Sequence, residues 1–279
     1  MSSTLLPIVA AVRHLSLRRL GASLLQAVGV LWLVVEITAF FAQPFSTAAQ
    51  GYWWVFLLAG SVIGIYRAVP RLHVAASVPG TDCKISVRVC DITALRDVAL
   101  IVGSNTTFDT SIDDGTISGA SIQGVVTRRL ADSIELLDRE ICHSLEGTSG
   151  TPIPDGEKPY GKQLRYDVGT VATVQLKGVR LYFLALATLN AHKVAHATRQ
   201  DVQDSLPRLW EYIRTHGGLD GLACPILGSG FSRLDATREE LLREIIRSFI
   251  PAALAWIPTV DHWANEWSHR SSLQYPAGR

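Results

Sequence analysis

Charge is scarce in this chain of 279 residues: Asp, Glu, Lys and Arg make up 18% of it, against 48% hydrophobic residues. The shortage sits in the N-terminal quarter, and the remainder, about 200 residues, is enough for one α/β domain with a full core. Net charge is +1, so no global basic field argues for a nucleic-acid partner. Cysteine is sparse as well. Cys83, Cys90, Cys142 and Cys224 form no C-x-x-C pair, which disfavours a zinc site or a redox motif and fits reduced thiols in a cytosolic domain. There is no P-loop, no nucleophile elbow and no H-E-x-x-H run. His192 and His196 have the i, i+4 spacing of metal ligands but no obvious third partner. Asp109, Asp113 and Asp114 read as a solvated acidic loop, and no metal is expected.

Long apolar runs are what the chain does have. One covers residues 20–42 and a second covers residues 51–69. A helix needs roughly 20 mostly apolar residues to cross a bilayer. The first run is too long for the core of a signal peptide, and another apolar run follows at once. Arg13, His14, Arg18 and Arg19 precede the first run, Arg67 and Arg71 flank the end of the second, and residues 43–50 between them carry no charge. The positive-inside rule then puts both ends in the cytoplasm and the short loop outside, with Tyr52, Trp53 and Trp54 as an aromatic belt. The expectation is a multi-pass inner-membrane protein in which residues 1–75 supply a helical hairpin. Glu36 lies inside the first run, either as a polar contact in a helix assembly or close enough to the outer interface to reach water. Gly60-x-x-x-Gly64 is a close-packing motif for helices in lipid.

Residues 71–81, with Pro70 and Pro79, read as a linker. Residues 85–90 alternate and read as a strand, and residues 98–102 form a short apolar run suited to a strand buried on both faces. Residues 103–119 are polar and glycine-containing, hence a loop. Helical periodicity spans residues 122–144, and a Gly/Pro-rich loop follows at 148–161. Strands are expected at 169–176 and 179–186 around Lys177-Gly178, a helix at 201–215, a strand at 222–226 and a helix at 237–249. Strands alternating with helices predict an α/β sheet with helices on its faces. That domain is assigned to residues 80–250. Residues 251–279 form a C-terminal segment containing Trp256, Trp263 and Trp267, which either packs on the domain or serves as an oligomer or membrane contact.

Sheets of this kind bind ligands beyond the carboxyl ends of their strands. Asp91 follows a strand and suits either an exocyclic amine or the N-cap of the next turn. Asn105 leaves the buried strand within reach of a sugar hydroxyl, and Asp109 suits a sugar or an amine; both also suit Asx-turns in a polar loop. Ser118, Gly119 and Ser121 lead into a helix N-terminus, where free N–H groups favour phosphate. Gly228-Ser229-Gly230 allows a diphosphate to approach the backbone. Each motif is also an ordinary turn when taken alone.

In this order, the motifs resemble a macro domain, a three-layer α/β/α module. Cys90-Asp91-Ile92 is similar to the family's strand-Gly-Asp-Ile element, with Cys90 in place of glycine, which implies that Asp91 and Ile92 read adenine. Residues 99–105 are similar to the strand ending in an Asn-Ala-Ala-Asn run, of which Asn105 is the last. Residues 115–124 correspond to the first phosphate loop without its triple glycine, and residues 225–231 (Leu227, Gly228, Ser229, Gly230 and Phe231) correspond to the second. Phe108-Asp109-Thr110, Ser118, Ser121 and Gly169-Thr170 narrow the resemblance to the macro-like domain of Thoeris antiphage effectors. The resemblance implies a membrane-bound, non-enzymatic effector without a cofactor. Its ligand would be an ADP-ribose derivative, a histidine conjugate of ADP-ribose made from NAD by a TIR-domain enzyme, and its response would be homo-oligomerisation and disruption of the bilayer. The alternative is a membrane-tethered hydrolase of ADP-ribose derivatives or ADP-ribosylated targets.

Overall fold

The computed structural model describes residues 17–41, 52–69, 72–95, 97–218, 221–230 and 234–256. The chain divides into two compact units, one of Met1–Ala76 with Lys84–Val89 and one of Ser77–Cys83 with Cys90–Arg279.

In the first unit, helix α1 (Leu17–Phe41) and helix α2 (Trp53–Ala68) pack against each other as an antiparallel hairpin. Two glycines permit the approach. A Cβ on Gly64 would lie 2.8 Å from the Leu24 Cα, and one on Gly60 would lie 3.0 Å from a methyl of Val28. The predicted Gly60-x-x-x-Gly64 motif is therefore the seam, where small residues let two backbones meet. The opposite faces carry exposed Leu25, Trp32, Leu33 and Ile37 on α1 and Trp54, Leu58 and Val62 on α2. The stretch Leu20–Thr38 is long and apolar enough to cross a membrane, with a mean hydropathy of 1.9 and only 6% of it buried. A core helix of a soluble domain would be mostly covered, so this exposure favours a membrane element. The expected second span is corrected in length: α2 has 16 residues, about 24 Å of helix, short of a hydrocarbon core of about 30 Å. Replacing Gly64 by Leu should force the helices apart. In membranes, oxidation should link Val28→Cys to Gly60→Cys efficiently, and adding Gly64→Leu should reduce the yield several-fold. An unchanged yield would mean that the seam lies elsewhere.

The same unit contains a two-stranded ribbon of β1 (His73–Ser77) and β2 (Lys84–Arg88). This corrects two expectations. The linker at 71–81 contains a strand, and the strand at 85–90 does not join the main sheet. Its alternation of Ile85 and Val87 with Lys84, Ser86 and Arg88 suits a ribbon with one half-covered face, and its burial alternates accordingly.

The second unit is built on a five-stranded mixed sheet. Strand β3 (Val98–Asn105) lies at its centre. It pairs in parallel with β7 (Val179–Leu189) on one side and with β9 (Gly221–Ala223) on the other. Strand β6 (Val171–Leu176) is antiparallel to β7, and β8 (Ala195–His196) pairs with the far end of β7. The short pair β4 (Thr151–Pro152) and β5 (Leu164–Arg165) stands apart. The β6–β7 hairpin turns at Lys177 (φ 48°) and Gly178 (φ 77°), the two positive values of a type I′ turn, whose twist matches that of the strands it joins.

Alternate residues of the strands feed two cores. Leu100 and Val102 with Leu181, Phe183 and Ala185 meet Val126 and Leu130 of α3 (Ile122–Leu130) and Leu137 and Ile141 of α4 (Ile134–Ser144). Ala99 and Ile101 with Tyr182, Leu184 and Leu186 meet Val202, Leu206 and Leu209 of α5 (Arg199–His216) and Ile245 of α6 (Arg238–Ala255). This is the expected three-layer α/β/α arrangement. The single helix expected over 122–144 is two helices. Ala131 turns extended (ψ 136°), and the Ser133 hydroxyl accepts the Leu136 N–H at 3.1 Å, so a local cap outcompetes the continuing ladder. Conversely, α6 runs past Phe249 and through Pro251. Proline costs the helix one backbone hydrogen bond, and edge-on contacts of Phe249 with Trp210 (5.2 Å) and Trp256 (5.7 Å) hold the segment in place. Trp263 and Trp267 lie outside the described residues.

Candidate functional site

Because β3, β7 and β9 are parallel, their carboxyl ends share one edge of the sheet, the edge at which such sheets bind ligands. Asn105 ends β3 there and is 4% exposed. Its Oδ1 accepts the amide N–H groups of Thr107 (3.0 Å) and Asp109 (3.2 Å), while its Nδ2 is buried without a hydrogen-bond partner, as is the neighbouring Ser104 hydroxyl. Buried donors in native structures are almost always paired, so this one requires an explanation. Phe108 follows in the left-handed region (φ 51°), fully buried, with its ring edge-on to Tyr166 at 5.6 Å. Its side chain thus belongs to the core, and its strained backbone bends the loop after β3 back over the strand end.

Asp109 is committed to the protein itself. Its carboxylate forms an ion pair with Lys158 at 3.0 Å, the two side chains being 3% and 0% exposed. It also accepts the Lys162 amide N–H at 2.9 Å and contacts the Thr107 hydroxyl. The Lys158 ammonium donates to the carbonyls of Tyr160 (2.8 Å) and Lys162 (2.9 Å), so every formal donor is used and the buried pair is fully satisfied. The Lys162 side chain reaches the Phe108 carbonyl at 2.9 Å and Asp138 at 2.7 Å. The loop after β3 and the loop before β5 are thereby held together. A cleft of about 290 Å³ opens beside this network, lined by Asp109, Thr110, Ser111, Ile134, Glu135, Asp138, Gly161 and Lys162; it includes none of the glycine-loop residues.

Ser118, Gly119 and Ser121 form the turn into α3. The Ser121 hydroxyl accepts the Gly124 N–H at 3.0 Å and donates to the Ser118 carbonyl at 2.7 Å. Gln123, in the first turn of α3, donates from its buried side chain to the Asp109 carbonyl at 2.8 Å. Gly169 and Thr170 lie at the same edge through reciprocal backbone bonds with Ala185 (2.8 and 2.9 Å). After β9, Leu227 is buried and lies 3.4 Å from where a Gly103 Cβ would stand. Gly228 has φ +76°, and a Cβ there would lie 2.0 Å from Leu234, so glycine is required. The Ser229 hydroxyl donates to the Ile226 carbonyl at 2.7 Å. Among the described residues, nothing lies within 4 Å of where a Gly230 Cβ would stand, and Phe231 lies outside the described residues.

Asp91 and Ile92 occupy a different place. Asp91 caps a short 3-10 turn by accepting the Thr93 N–H at 3.0 Å, and it pairs with Arg129 at 2.5 Å. The Arg129 guanidinium holds the Asp91 carboxyl below the usual carboxylate range. Arg129 is in the last turn of α3, so Asp91 sits about 12 Å along the helix from the Ser118–Ser121 turn. Asp114 is also held well below its ordinary value, first by the backbone N–H of Thr116 and then by hydroxyl and Lys193 bonds. Burial pushes the Cys224 thiol up to about 12, which leaves no thiolate at neutral pH beside the second glycine loop. Among the described residues, no group of three His, Cys, Asp or Glu side chains is arranged to hold a metal ion.

Lys158, Lys162, Arg128 and Arg129 were not anticipated from the sequence; Gln123 stood out only as part of the 121–124 run. Lys158 sits inside a Gly/Pro-rich stretch, 49 residues from its partner Asp109, and no spacing rule connects the two.

A mixed sheet covered by two helices on each face, with its loops gathered at one strand edge, defines a macro-type α/β/α module. The sequence profile of the family described as Thoeris protein ThsA, Macro domain, matches residues 85–255. The chain belongs to this family, and the match covers more than half of its length. Comparison with curated proteins gave no match.

Proposed function

We propose that the second unit is the sensor of an ADP-ribose-derived nucleotide in an antiphage effector. The observation that carries this reading is the Asn105 side chain. It is buried at the shared carboxyl edge of three parallel strands with its amide donor unpartnered; hydrogen bonds through Asp109 link it to Gln123 in the first turn of α3, and Leu227 packs at Gly103, two residues earlier on β3. A sugar hydroxyl at Nδ2 would satisfy that donor, and the Ser118–Ser121 turn and the Leu227–Gly230 loop offer backbone N–H groups to phosphates. Family membership supports an ADP-ribose derivative, which we take to be a histidine conjugate supplied by a TIR-domain enzyme. The hairpin of α1 and α2 carries the membrane function. Its arginine-flanked ends lie in the cytoplasm of a multi-pass inner-membrane protein, the bilayer thinning locally to match the shorter α2, and ligand binding drives assembly of several copies and leakage of the bilayer. The ligand acts only through its differential affinity for the two states.

The hydrolase alternative needs a free base near the ribose. Asp109, the carboxylate closest in sequence to Asn105, is instead occupied by Lys158, Lys162 and Thr107, which favours sensing over turnover. Calorimetry of the full chain in detergent micelles with ADP-ribose and its histidine conjugate tests the reading. Stoichiometric binding with the nucleotide recovered intact is expected. Asn105→Asp, which keeps the acceptor but removes the donor, should weaken binding about tenfold or more. Recovery of hydrolysed nucleotide would put the enzyme ahead. In proteoliposomes, the bound ligand should release trapped dye, and release independent of the ligand would remove the signalling role.

A further inference from the structure

We infer that Arg128 is the residue that reads the ligand's phosphate charge, an inference that rests on the nucleotide-sensing reading above. Arg128 lies in the second half of α3, yet its side chain folds back along the helix over the turn that starts it. Its Nη2 donates to the Gly119 carbonyl, and its Nη1 lies 2.6 Å from where a Gly119 Cβ would stand. The neighbouring Arg129 is neutralised by Asp91, whereas Arg128 pairs with no carboxylate among the described residues. Beneath it, the N–H groups of Gly119, Ile122 and Gln123 have no acceptor among the described residues; the Ser121 cap takes only the Gly124 N–H.

The unpartnered Asn105 amide belongs to the same place. Asn105 accepts the Asp109 N–H, and Asp109 in turn accepts the Gln123 side chain from the first turn of α3. Among the described residues, three free backbone donors and a cation without a carboxylate partner thus lie at one helix start, and the buried, unpartnered Asn105 donor is linked to that start through Asp109 and Gln123. The chemical class that satisfies all of them is a sugar phosphoanhydride. A planar guanidinium binds phosphate oxygens in pairs, and Arg128 can exchange the Gly119 carbonyl for such oxygens by a side-chain rotation. The glycine at 119 leaves room for the guanidinium, and a methyl group there would displace it.

The test is titration of the full chain in detergent micelles with ADP-ribose at several salt concentrations. The wild type should bind, with affinity falling as salt rises. Arg128→Ala should lose at least tenfold in affinity and flatten the salt dependence, without shifting the thermal melting point. Arg128→Lys, which keeps the charge but not the paired donors, should fall between the two. Gly119→Ala should lose affinity in parallel. If the wild type binds and Arg128→Ala matches it in affinity and salt dependence, this inference fails while the sensing reading stands. If the wild type does not bind ADP-ribose or its histidine conjugate, the reading itself fails and takes this inference with it.

Discussion

Replacing Lys158 by Met should destabilise the second unit by about 3–5 kcal/mol, the usual cost of stripping one partner from a buried ion pair. Lys158 and Asp109 are almost wholly shielded from water and lie 3.0 Å apart. Removing the ammonium leaves a buried carboxylate with only the Lys162 N–H and the Thr107 hydroxyl as donors. It also frees the carbonyls of Tyr160 and Lys162 that the ammonium now binds. Domains are stable by roughly 5–15 kcal/mol in total, so the loss is a large fraction of the whole. Near-UV circular dichroism of the full chain in detergent should show the melting midpoint falling on the order of 10 °C. Pairing the change with Asp109→Asn removes the orphaned charge and should recover part of the loss. If Lys158→Met melts like the wild type, the pair contributes nothing to holding the two loops together.

Gly230→Glu should abolish ADP-ribose binding without harming the fold. Among the described residues, none lies within 4 Å of a would-be Gly230 Cβ, so the new side chain is expected to be accommodated. In the proposed complex the carboxylate would face a diphosphate. Two like charges about 4 Å apart near a protein surface repel by about 4 kcal/mol, and tenfold in affinity corresponds to about 1.4 kcal/mol. A loss on the order of 100-fold or more is therefore expected by calorimetry, with an unchanged circular dichroism spectrum. Gly230→Ala should bind normally. Tight binding by Gly230→Glu would place the diphosphate away from this loop. Gly228 is a poor choice for this test, since its positive φ and the nearness of Leu234 make any side chain there a folding defect.

The parts of the fold that local chemistry dictates were readable from the chain. Residues 98–102 form an unbroken apolar run because both faces of β3 are covered, and Lys177-Gly178 announces a tight hairpin through the backbone freedom it offers. The helices expected at 201–215 and 237–249 are both present, and they open on capping boxes at Thr198 and Thr237, which the sequence reading did not name. Other parts were not readable, whether settled by a local competition or by distant contacts. The periodicity of 122–144 runs through Ala131 without interruption, and only the local competition of Ser133 with the backbone ladder ends α3. Residues 85–90 carry a good strand pattern, but which strand they pair with is not written in that pattern. At the site, the glycine turns and Asn105 stood out by residue type. The commitment of Asp109 did not, because its partner is a lysine in a distant loop that reads as solvent-facing.

The pairing of β3 with β9 also sets an order of events during synthesis. Val98 finds its partner Gly221, and Leu100 its partner Ala223, only after most of the chain has been made. Contacts so distant in sequence form late, since the intervening loop must close first. The apolar helix α1, by contrast, emerges from the ribosome before any residue of the sheet. A nascent chain therefore presents its apolar helix for the whole interval before the carboxyl edge of the sheet exists. A chain truncated before Gly221 would keep α1 and α2 but never complete the carboxyl edge proposed above to bind the signal.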